Sequence, residues 1–113
     1  MNHTIDATNQ RIGRIASKVA VILQGKLHRT YHPARSGEDC VIIKNAAKAV
    51  VTGRKADQKI YYHHTGYMGH LRQRTFADAF ARAPETVIRA VVSQMLPKNR
   101  LRPGRLRRLT IEP

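Results

Sequence analysis

Three histidines, His63, His64 and His70, stand close to Lys59 in the stretch KIYYHHTGYMGHLRQR, residues 59–74. Such residues could supply a general base, a general acid and a cation for the transition state of phosphodiester cleavage. The stretch contains no acidic residue, and Asp57 and Asp78 lie outside it, so no carboxylate is at hand to orient an imidazole as catalytic histidines require. The same residues suit a second chemistry better. Tyr62 and Tyr67 offer flat rings, His63 and His64 offer donors and stacking surfaces, and Lys59, Arg72 and Arg74 offer charge, a combination that stacks on unpaired bases and neutralises phosphates. The expectation is RNA binding without catalysis. Ile60, Tyr61 and Tyr62 start the stretch as a strand, Thr65 and Gly66 break it, and Gly69 is a second hinge, so it reads as a strand running into an exposed loop. Tyr61 and Tyr62 must point to opposite faces, so one meets a ligand and the other packs inside; the alternation does not decide which.

The remaining catalytic and metal patterns are weak. His28 and His32 are four apart, but Pro33 disfavours helical backbone at His32, and one cysteine cannot build a zinc-type cluster. No phosphate-cradling GxxxxGK[ST] and no hydrolase GxSxG occurs. No cofactor, metal or small-molecule substrate is expected.

Whatever binds must tolerate, or require, a very positive chain. Twenty-one Lys and Arg face seven Asp and Glu, a net charge of +14 in 113 residues, which is the balance of a polyanion binder. An anionic membrane would want a basic amphipathic helix with bulky aromatics on its apolar face, and none stands out. No apolar run approaches a membrane span, and the MNHTIDATNQ start has neither a secretory nor an organellar signal pattern. A soluble intracellular protein is expected. The length fits one domain, residues 1–113, and 42% hydrophobic content with 5% aromatics and no Trp predicts an aliphatic core. Cys40 begins the apolar run Cys40-Val41-Ile42-Ile43, where a small buried hydrophobe is the expected role.

The positioning elements follow in order. Thr4 to Ala7 predicts a short strand. Asn9 is a candidate N-cap for a helix over about 10–24, whose apolar stripe is Ile12, Ile15, Ala16, Val19, Ile22 and Leu23, closed by Gly25. Its other face carries Arg11, Arg14 and Lys18 with no acid among them, and Lys26 and Arg29 follow beyond its end. Cys40 to Lys44 predicts a strand buried on both faces, completing a βαβ unit. Asn45 caps a short turn through Lys48, Val50 to Thr52 predict another strand, and Arg54 to Gln58 a charged turn. Thr75 with Asp78 resembles a capping box for a helix over 76–82, and Pro84 opens a second helix to about Leu96. The basic segment 98–113 holds Lys98, Arg100, Arg102, Arg105, Arg107 and Arg108, with Leu109 to Ile111 as a last short strand. Three phosphate-gripping ridges are expected: Arg11, Arg14 and Lys18 with Lys26 and Arg29; Arg54, Lys55 and Lys59; and the tail, whose loss should weaken binding more than the fold.

Several short motifs fall in one order: Ile5-Asp6-Ala7, Gly13-Arg14, Gly25-Lys26, Asn45-Ala46, Val51-Thr52-Gly53, Tyr62-His63-His64-Thr65-Gly66 and Met95-Leu96-Pro97-Lys98. In these, over almost its whole length, the chain resembles the ribosomal protein L13 (uL13) family of the bacterial and organellar type. The resemblance implies a three-layer α/β/α domain around a mostly parallel sheet of about four strands. It implies binding to large-subunit ribosomal RNA beside neighbouring ribosomal proteins, a role early in subunit assembly, and a place in the ribosome of the cytoplasm or an organelle. The family usually has glycines near His70 and Arg102, and bacterial members commonly extend beyond both ends of the stretch seen here, so contacts made by such extensions are not expected of these residues. The rival readings are a histidine-based RNA-cleaving enzyme and a general RNA or DNA chaperone.

Overall fold

The computed structural model describes residues 1–113 and holds a mixed α/β fold. Its main sheet has three parallel strands in the order β1-β2-β5: β1 (Asn2–Asp6), β2 (Cys40–Lys44) and β5 (Leu109–Ile111). The central place falls to β2, whose Val41-Ile42-Ile43 run is the most β-branched and apolar of the three. The register sets Val41 between His3 and Leu109, and Ile43 between Ile5 and Ile111. These six side chains therefore share one face.

That face is covered by helices. In α1 (Ile12–Leu23) the buried residues Ile12, Ile15, Ala16, Val19, Ala20 and Leu23 recur at helical spacing, and α1 packs on β2 and on α4 (Pro84–Met95). The core is aliphatic as expected, with Phe76 its only buried aromatic. Each fully buried Leu, Ile or Val contributes about 1.5–3 kcal/mol over leaving it exposed, so this one stripe accounts for much of the cohesion between layers. Gly25 closes α1 at φ +76, a conformation that glycine reaches without strain.

Several expectations are corrected. Asn9 does not cap α1: it sits at φ 55, and Arg11 holds the cap position with no side-chain bond. The N–H of Ile12, which has no partner within the helix, donates to the Val50 carbonyl at 3.2 Å, and the Val50 N–H donates to the Gln10 carbonyl at 2.9 Å. Val50 is thereby spent in an isolated bridge to Arg11, so Val50 to Thr52 form no fourth strand and the main sheet has three. Nor is β2 buried on both faces. Ile42 and Cys40 are only half-buried, and Asn2, Thr4, Asp6, Lys44 and Thr110 on the far face are exposed. Asn45 leads into a 3-10 turn (Ala46–Lys48) from φ 55 without a side-chain cap bond. Instead its Nδ2 donates to Asp6 at 3.1 Å.

A separate antiparallel hairpin projects from this body, made of β3 (Ile60–His64) and β4 (Leu71–Thr75). Only its first strand was expected, because β4 reads LRQRT, with exposed polar side chains on both faces and no apolar alternation to announce it. Residues 55–58, expected as a turn, form the single-turn helix α2 (Lys55–Gln58). At the hairpin's base, α3 (Phe76–Arg82) starts where Thr75 Oγ1 accepts the Asp78 N–H at 3.3 Å, the capping interaction the sequence predicts. Pro84 then occupies the first turn of α4.

In the tail, Leu109 to Ile111 form the expected last strand, β5, paired with β2 and with Leu109 and Ile111 buried, and the basic run before it folds as the helix α5 (Arg102–Arg107), which was not expected.

Candidate nucleic-acid interface

The charges that could meet a polyanion are best found by removing those already engaged. Arg105 is 2% exposed and donates to the carbonyls of Arg35 at 3.1 Å and Ser36 at 3.4 Å. Arg108 donates to the carbonyls of Ser36 at 2.6 Å and Leu23 at 3.2 Å. Arg89 and Arg102 likewise serve carbonyls of Leu106, Leu109 and Pro97. These long side chains thread apolar stems into the fold and satisfy carbonyls left open at the end of α1 and in the loop after it. Arg105 and Arg108, expected to grip phosphates, are therefore structural ties.

The other expected cations, Arg11, Arg14, Lys18, Lys26, Arg29, Arg54, Lys55, Lys59, Arg72, Arg74, Lys98, Arg100 and Arg107, are all exposed. No lysine or arginine is within ion-pair distance of a carboxylate, because all three ion pairs converge on Asp39 and come from the Met1 amino group, His3 and His28.

The structure joins two ridges that the sequence kept apart. Arg11 and Arg14 at the start of α1 share a groove of about 360 Å³ with Lys55 and Lys59, because the Arg11–Val50 bridge draws the two segments together. Lys59 continues this basic surface into the hairpin, its Nζ lying 5.3 Å from the centre of the Tyr61 ring. Lys18 instead lines a separate recess with Val21 and Leu27.

The hairpin settles the tyrosine alternation. Tyr61 faces inward, its ring centre 6.4 Å from that of Phe76, whereas Tyr62 is 61% exposed. Cross-strand pairing of Tyr61 with Arg74 and of His63 with Arg72 puts these four side chains on one face. Tyr62, His64, Ile60 and Leu71 take the other. At the tip Gly66 adopts φ +90 and Gly69 φ +71, and the Gly66 N–H donates to His64 Nδ1 at 3.0 Å, so one imidazole nitrogen is committed to shaping the turn. Tyr67 stands 75% exposed with its ring 6.3 Å from His70, edge to face. No carboxylate pairs with a hairpin histidine; the close histidine–aspartate contact, His28 Nε2 to Asp39 Oδ2 at 2.6 Å, lies at the far end of the chain's long loop. Sequence reasoning passed over Asp39, and nothing local signals it, because loop residue 39 returns to residue 28 only in the fold. Burial works to raise the Asp39 carboxyl, but hydrogen bonds from the Met1 amino group and His28 outweigh it and hold it below its ordinary value.

No cluster of His, Cys, Asp and Glu is arranged to hold a metal ion, and no helix is long and apolar enough to cross a membrane. His32, read as a possible partner of His28 in a metal pair, accepts the Ala34 N–H at Nδ1 instead.

Comparison with known proteins gives a consistent result. The family model described as ribosomal protein L13 matches residues 1–111. A large ribosomal subunit protein uL13 from Gemmatimonas aurantiaca is 48% identical over 106 residues, covering 94% of this chain and 71% of the relative. The Chloroflexus aurantiacus protein of the same description is 44% identical over 99 residues, covering 88% and 69%. That of Clostridioides difficile is 42% identical over 109 residues, covering 96% and 76%.

Proposed function

The chain belongs to the ribosomal protein L13 family, and on that premise we propose that it is a structural constituent of the large ribosomal subunit, binding large-subunit RNA through the exposed cations of α1, α2 and the hairpin. The observation that carries this reading is the complete absence of ion pairs among the lysines and arginines. Self-repulsion in a chain of net charge +14 costs stability, and a polyanion lining up along the Arg11, Arg14, Lys55 and Lys59 groove relieves it. Tyr62, His63, His64 and Tyr67 add stacking and hydrogen bonds at unpaired bases. Lys26 and Arg29 beyond α1, and Lys98, Arg100 and Arg107 near the chain's end, extend the basic surface to neighbouring phosphates. Arg105 and Arg108 are excluded from that role.

The role is one of binding and assembly rather than catalysis, and the partners are ribosomal RNA and neighbouring large-subunit proteins. The place of action is accordingly the ribosome. Filter binding to large-subunit RNA across a salt series tests this reading. With about six neutralised phosphates on duplex segments, the logarithm of the affinity falls with the logarithm of salt at a slope near −5. An affinity indifferent to salt would remove the electrostatic basis of the proposal.

A further inference from the structure

Between the hairpin and α4 lies a groove of about 640 Å³, within the size range of small-ligand sites. Its rim and floor differ in chemistry. Arg72, Arg74 and His63 come from the inward face of the hairpin, while Ala79 of α3 and Val87 and Ala90 of α4 supply an apolar wall. Tyr61 lines the same groove, and its hydroxyl is buried with no hydrogen-bond partner. Arg72 and Arg74, two residues apart on one face, repel each other and have no acidic partner in the chain.

The geometry points to this groove as the seat of one extruded RNA nucleotide, its base against the Ala79, Val87 and Ala90 wall and its phosphate held by Arg72 and Arg74. This rests on the RNA-binding reading and adds to it a single unpaired residue as the recognised feature. Paired bases cannot fill the groove, because their faces are already stacked in the helix and only an unstacked base can offer one to an apolar wall. Thr86, also lining the groove and exposed, brings a hydroxyl that can meet the base edge. A purely anionic ligand would leave the apolar wall unused, and a purely apolar one would leave both guanidiniums unpaired. A nucleotide satisfies both halves.

The test uses two RNA hairpins identical except for one bulged adenosine, with filter binding at fixed salt to the full chain and to A90W and T86W. Both substituted positions are exposed on α4, and circular dichroism confirms the helix content of each variant. The parent chain is expected to bind the bulged hairpin about tenfold more tightly, the scale of one base stacked in a protein site. Filling the groove with Trp should bring the affinity for bulged RNA down to that for paired RNA. Equal binding of both RNAs by the parent, or an undiminished preference in a folded Trp variant, would overturn the nucleotide seat while leaving the RNA-binding reading intact. Failure of the parent to bind either hairpin would overturn both.

Discussion

The guanidinium of Arg108 donates to the backbone carbonyl of Leu23 at 3.2 Å, which ties the end of α5 to the end of α1 across most of the chain. Arg105, one helical turn earlier, makes the matching tie to Arg35 and Ser36. Replacing Arg105 with Ala strips the Arg35 carbonyl of its side-chain donor, leaves the Ser36 carbonyl to Arg108 alone, and opens a void where the buried stem ran. We predict a loss of about 2–4 kcal/mol in urea unfolding, with RNA affinity of the folded fraction unchanged. Removing residues from Lys98 onward should unfold the protein globally by circular dichroism, since β5 and both ties go together. A truncated chain that stays folded would show that the tail is an appendage.

Asp39 is predicted to make the fold acid-sensitive. It is 1% exposed, and its carboxylate faces the Met1 amino group, His3 and His28. Its folded pKa lies below the ordinary carboxylate value near 3.8, so the unfolded chain takes up protons first as pH falls. The stabilisation is therefore present above about pH 4 and drains away as pH drops through the lower folded value. D39N should lose about 2 kcal/mol at pH 7, judged from hydrogen bonds to a charged group. The gap to the parent should narrow below pH 4. Denaturation at pH 7, 4 and 3 checks this, and a gap that persists at pH 3 would contradict the assignment.

In the hairpin the tip backbone should matter more than either imidazole. Gly66 at φ +90 is in a region that a β-branched residue resists, so G66V forces another path and displaces Tyr67 from its neighbours. H63Q and H64Q together keep part of the polar contact and should cost about 1–3 kcal/mol of RNA affinity. G66V is expected to cost more than either single His change, measured by filter binding. The parent should not cleave RNA at any pH; a bell-shaped cleavage profile lost in the double variant would establish the enzyme reading instead.

How far the sequence foretold this structure depended on whether a signal was local. The stripe from Ile12 to Leu23 defined α1, and Thr75 with Asp78 and then Pro84 marked the starts of α3 and α4. Two elements had no such signal. The second hairpin strand alternates Leu71, Gln73 and Thr75 with Arg72 and Arg74, so neither face reads as apolar, although arginines at a spacing of two are themselves a hint of a strand. Val50 to Thr52 looked like a strand by residue type and was diverted by pairing with the chain entering α1. Among candidate site residues, charge alone could not separate Arg107, which is exposed, from Arg105, which is buried on carbonyls brought from a distant loop.

Whether the chain is built into the large ribosomal subunit is read from sedimentation. Subunits separated on a gradient from cells carrying a tagged full chain should show the protein in the large-subunit peak, at about one copy per particle, and G66V should reduce that incorporation. Recovery with the small subunit, or only in the unbound fractions at the top of the gradient, would contradict it.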